Sequence, residues 1–87
     1  MPAGIRWTEE QTRQALELYS QLTFGQFDHR NPQVIALAKA MSRTPSSIAM
    51  KLGNFASLDP AITQTGRVGL KGATVLDRKV WAETHKA

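Results

Sequence analysis

Between Arg43 and Asn54 the chain reads Arg-Thr-Pro-Ser-Ser-Ile-Ala-Met-Lys-Leu-Gly-Asn, and Ser46, Ser47, Lys51 and Asn54 are its polar, hydrogen-bonding side chains on one helix face. Short hydroxyl and amide side chains can bond base edges: a serine suits several, and a carboxamide pairs two-pronged with adenine. Arg43 and Lys51 are cations at the ends of the same stretch, the type of group that contacts phosphate. Met50 lies among them. A methionine is more commonly core, and that reading is preferred here; exposed, it would suit the methyl group of a base. A second basic group follows in Gly66-Arg-Val-Gly-Leu-Lys-Gly72, where Arg67 and Lys71 alternate with glycines. Glycines let main-chain amides approach a phosphate backbone closely. The plain alternative is a surface connection, and the Gly-Lys-Ser/Thr ending of a nucleotide-binding loop is missing.

Catalytic chemistry has little to work with. His29 and His85 stand far apart, and there is no cysteine, so no paired spacing for a metal arises. Asp28-His29 is half of an acid/base pair with no third partner. Both histidines read as surface residues. No catalytic residue, no metal ligand and no cofactor is expected.

The elements that must position these residues are helices. Thr8-Glu9-Glu10-Gln11 is a capping box, with two carboxylates where the helix dipole favours them. Ala15, Leu16, Tyr19 and Leu22 continue it as one apolar stripe ending near Thr23. Residues 24–31 read as a loop pinned by Phe24 and Phe27. Asn31-Pro32 then caps and starts a second helix, whose buried face is Val34, Ile35, Leu37, Ala38 and Met41. After Ser42-Arg43, Thr44-Pro45 repeats the device. Ile48, Ala49, Leu52, Phe55 and Ala56 face inward there, leaving Ser46, Ser47, Met50, Lys51 and Asn54 outward. Leu58-Asp59-Pro60 closes this helix, because a residue before proline leaves helical geometry. Residues 60–73 read as a basic, glycine-rich loop or tight hairpin. Thr74 to Asp77 is a second capping box, so a short last helix is expected over about 75–84, with Leu76, Val80 and Trp81 packing back.

The expected fold is all-α over residues 1–87 as one domain. It is a three-helix bundle with a helix-turn-helix of Myb or homeodomain type, a basic loop and a short C-terminal helix. Arg6-Trp7-Thr8-Glu9-Glu10 is similar to the tryptophan-led start of Myb-like domains.

Composition agrees with that class. The 87 residues are 41% hydrophobic and 21% charged, which excludes outright disorder. Without cysteine, packing alone must hold the fold. No apolar run reaches the roughly 20 residues of a membrane span, and a cytoplasmic, membrane-free protein is expected. The net charge of +4 is uneven. Residues 29–76 carry Arg30, Lys39, Arg43, Lys51, Arg67 and Lys71 against Asp59 alone. A basic middle points to a polyanion, and with the helix pattern to double-stranded DNA. Ordinary solubility charge is the bland alternative. Two others are a protein-interaction or dimerisation domain, using a patch of Met50, Phe24 and Phe27, and a small helix-turn-helix regulator acting as a dimer.

Several strings together carry a resemblance. They are Arg6-Trp-Thr-Glu-Glu, Ala15-Leu-Glu-Leu-Tyr, Phe24-Gly25, Asn31-Pro32 and Arg43-Thr-Pro-Ser-Ser-Ile-Ala-Met-Lys-Leu52. Asn54-Phe-Ala-Ser-Leu-Asp-Pro60, Gly66, Gly69-Leu70, Gly72-Ala73, Asp77-Arg78 and Val80-Trp81 extend it. Over residues 5–83 the chain resembles the N-terminal domain of bacterial HNH-type restriction endonucleases, modification-dependent enzymes among them. The resemblance implies recognition of target DNA, with modified cytosine as one target. It also implies a separate C-terminal HNH nuclease as partner. These 87 residues contain no such nuclease, so no cleavage is expected of the chain itself. The ending at Thr84-His-Lys-Ala87 is what an excised domain or a truncated gene would give.

Overall fold

Thr8 stands in extended backbone geometry and opens helix α1 (Glu9–Tyr19), its hydroxyl accepting from the Gln11 amide while the Gln11 side chain accepts from the Thr8 amide. The computed structural model describes residues 6–66 and 72–85. The apolar stripe runs past the helix, which ends at Tyr19 rather than near Thr23. Gln21 and Leu22 bond back to Leu18 and Tyr19, so the chain tightens into i→i+3 turns while Leu22 still packs on the core. Residues 24–31 are not all loop, because Phe24–Gln26 form a 3₁₀ turn.

Helix α2 (Pro32–Met41) and helix α3 (Pro45–Ala56) each begin with proline, after caps from Asn31 and Thr44. Only Ser42, Arg43 and Thr44 join them. Ser42 takes the left-handed conformation at φ 56°. That lets its own amide and the Arg43 amide bond back to the last carbonyls of α2, with Arg43 N donating to Ala38 O at 2.8 Å. A sharp turn of this kind brings α3 straight back across α2.

Asp59 caps a short helix, α4 (Pro60–Thr63), where a loop is expected over 60–73, and residues 67–71 of that span lie outside the described residues. A proline that ends one helix also starts the next well, since its missing amide had no partner in a first turn. Helix α5 (Val75–Thr84) starts at the second capping box, as expected, with Thr74 and Asp77 exchanging side-chain bonds.

The architecture is all-α, with no strand among the described residues. α1, α2 and α3 pack on one another, and α5 lies against α1 and α3. One apolar core results. Phe55, Ile48, Leu52, Val34 and Val80 are fully buried, with Ala15, Leu16 and Tyr19 around them. Each large side chain so buried contributes about 1.5–3 kcal/mol relative to exposure. Tyr19 gathers Phe27, Phe55 and Trp81 about its ring, at centroid distances of 4.9, 6.0 and 5.7 Å. No described helix is long and apolar enough to cross a membrane.

Candidate nucleic-acid interface

Helix α3 decides which expected contact residues can meet a ligand. Its inner side, Ile48, Leu52, Phe55 and Ala56, is sealed in the core. At 3.6 residues per turn, the opposite ridge is Ser46, Met50 and Gly53. Ser46 is exposed, and Met50 is 60% exposed. The preferred core reading of Met50 is therefore wrong: it lies across the helix from Ile48 and Leu52 and is left mostly exposed among the described residues. Ser47 and Asn54 form a shoulder and are half-buried. Gly72 crosses that shoulder so closely that a Cβ on it would stand 3.3 Å from the Asn54 carboxamide oxygen.

Lys51 does not belong to the outward face. It is 5% exposed, and its ammonium lies 2.8 Å from Asp77 Oδ1, itself fully buried at the head of α5. Asp77 Oδ2 accepts from the Thr74 amide at 3.0 Å, so one carboxylate caps α5 and holds α3. Lys51 Nζ also stands 4.8 Å from the centre of the Trp7 ring. A phosphate contact by Lys51 would require breaking a buried ion pair. Its position was partly visible in the sequence: three residues after Ile48 and four before Phe55 is the edge of the apolar stripe.

Arg43 is likewise engaged inside the molecule. Its guanidinium donates to the Arg6 carbonyl at 3.0 Å and to the Gln11 side-chain oxygen at 2.9 Å, and covers the Trp7 ring at 4.2 Å. It ties the segment before α1 to the α2–α3 turn. Arg67 and Lys71 lie outside the described residues. The structure thus brings Ser46 and Met50 together on one open ridge with Ser47 and Asn54 at its shoulder, and removes Arg43 and Lys51 from it.

Other exposed cations are distributed unevenly. Arg13 pairs with Glu9 and Glu83, Lys79 with Glu9, and Arg30 with Asp28. Hydrogen bonds from Arg13 and then Lys79 hold the Glu9 carboxyl below the usual range, and the Arg30 amide does the same for Asp28. Arg6, Lys39 and Arg78 are exposed and make no ion pair among the described residues. Residue type and spacing do not single them out, because nothing local marks which cation a carboxylate elsewhere will capture.

Both histidines are exposed, as expected. His85 stacks on Trp81 at 3.7 Å, and His29 lies 3.2 Å from Asp28. Among the described residues no three histidines, cysteines or carboxylates gather as a metal site. Phe27, stacked on Tyr19, is not free to form a docking patch with Met50, and the Phe24 side chain is outside what the structure describes. Comparison of the chain with protein-family models, with curated proteins and with solved structures found no match.

Proposed function

We propose that this chain is a module that binds double-stranded DNA through the exposed ridge of α3 and has no catalysis of its own. The observation that carries the reading is the make-up of that ridge. Ser46 and Met50 stand out from a helix whose other side is fixed in the core, directly after a three-residue turn from α2. Short polar side chains at the start of a second, rigidly held helix are what a major groove admits. The net charge of +4 supplies the long-range attraction. In this reading α2 and α3 act as a helix-turn-helix. Ser46, Ser47 and Asn54 bond base edges, and Met50 meets a base methyl group. The resemblance to N-terminal domains of HNH restriction endonucleases extends the proposal: the cutting partner is a separate HNH domain, and modified cytosine is a candidate target.

A mobility-shift series across salt tests this directly. Affinity is expected to fall with a slope of about −0.9 per phosphate contact. Ser46→Ala or Asn54→Ala should erode discrimination between duplexes by roughly 1–3 kcal/mol per lost base contact. Arg67→Ala and Lys71→Ala should weaken all duplexes alike. Absence of binding at low ionic strength would end the proposal. A matched panel with and without cytosine modification tests the target class. The second reading, docking onto another protein, is favoured by the exposure of Met50 and of Val75, which is 84% exposed. Light scattering of the chain alone and with duplex separates the two.

A further inference from the structure

Two of the four cations expected at phosphate, Arg43 and Lys51, both close on Trp7. That arrangement has a consequence for the residue before it. Arg43 lies in the turn that leads into α3, two residues ahead of Pro45, and its guanidinium grips the Arg6 carbonyl at 3.0 Å. Arg6 is thereby fixed beside the α2–α3 turn although 37 residues of chain separate it from Arg43. Its side chain is exposed and makes no ion pair among the described residues. The nearest helix start offers two carboxylates. Glu9 is held by Arg13 and Lys79, and Glu10 forms no ion pair with Arg6.

We propose that Arg6 is a phosphate-contacting residue of the α3 surface, delivered there by the clasp of Arg43 and Trp7. This rests on the DNA-binding reading above. In it, Arg43 is a positioning residue and Arg6 supplies the charge. A guanidinium held next to the turn, with its own backbone anchored, loses less freedom on meeting a phosphate than one on a free terminus. The bond from Arg43 goes to the main chain of Arg6, so the side chain can be changed without loosening the clasp.

The test is duplex binding by the full chain at about 50 and about 200 mM salt, where each phosphate contact accounts for an affinity loss of about 3.5-fold. Arg6→Ala should lose about one contact's share of that salt dependence and weaken matched and unmatched duplexes equally. Arg6→Lys should keep the wild-type slope, since the charge remains. In an Arg43→Met background, checked by melting to be folded, the effect of Arg6→Ala should shrink. A wild-type slope in Arg6→Ala, or equal loss in Arg6→Ala and Arg6→Lys, would overturn the assignment while leaving DNA binding intact. An undiminished effect of Arg6→Ala in the Arg43→Met background would overturn the role of the clasp. Absence of duplex binding by the unaltered chain would overturn the underlying reading, and Arg6 with it.

Discussion

Helix α5 is fastened to the body by two sets of charges in opposite surroundings. Against α1 it uses an open chain in which Lys79 bonds Glu9, Glu9 bonds Arg13 at 2.6 Å, and Arg13 bonds Glu83. Against α3 it uses the single pair Lys51–Asp77, with side-chain exposures of 6% and 0%. The chemistry is the same and the consequences are not. Water screens the first set, so its members can be lost singly with small effect. The second is shielded, and removing either partner strands a charge in a place that cannot hydrate it. The number of ion pairs therefore says little about which of them holds this fold.

The largest effect should come from Asp77→Ala, which strands Lys51 and removes the side-chain half of the α5 capping box that Asp77 supplies. A loss of about 3–5 kcal/mol is expected from stranding the charge alone, read by urea denaturation. Removing the charge as well should recover most of it: Lys51→Met with Asp77→Ser keeps a capping oxygen and leaves nothing unpaired. If the double variant is no more stable than Asp77→Ala, the pair is not what binds α5 to α3.

An intermediate case is Tyr19, whose hydroxyl donates to Asp59 Oδ2 at 2.6 Å under partial cover. Tyr19→Phe should cost about 1–2 kcal/mol, less than the buried pair because Asp59 still reaches water. Burial, and then the bond to Asp59, push the phenol well above its ordinary value near 10. A raised folded pKa means that this stabilisation is complete below the unfolded value and is lost as pH rises through the folded one. Tyr19 is the sole tyrosine, so phenolate absorbance follows one group. Ionisation at the ordinary value in the folded protein would show that the bond is not kept.

The smallest effect belongs to the open chain. Arg13→Ala should shift the melting temperature only slightly at low salt, and not measurably at high salt. The Glu9 carboxyl is depressed, so its contribution is present above the ordinary carboxylate range and fades as pH falls through the lowered value. Glu9→Gln should flatten that part of an acid titration. A large, salt-insensitive loss from Arg13→Ala would erase the contrast between the two fastenings.

The same contrast explains what could be read from the chain alone. Thr8 with Gln11, Asn31 with Pro32, Thr44 with Pro45 and Thr74 with Asp77 set the starts of α1, α2, α3 and α5 through bonds spanning two or three residues. Such contacts are complete within one turn, so residue order is enough to locate them. The inner face of α3 followed from spacing for the same reason. The end of α1 did not, because Leu22 belongs to the core without belonging to the helix.

The candidate surface divides along that line. Sequence determined that α3 exists, that Ile48, Leu52 and Phe55 hold it, and that Ser46 stands opposite them. Tertiary structure decided the charges. Whether Lys51 met solvent depended on Asp77, which is 26 residues further on. Whether Arg43 was available depended on Arg6 and Trp7 arriving from before α1 and on Gln11 in its first turn. A helical period fixes direction around an axis, but a long cationic side chain at the edge of a stripe can turn either way. Its choice is made by the carboxylates, carbonyls and rings that packing brings within reach, and that proximity is a property of the folded chain.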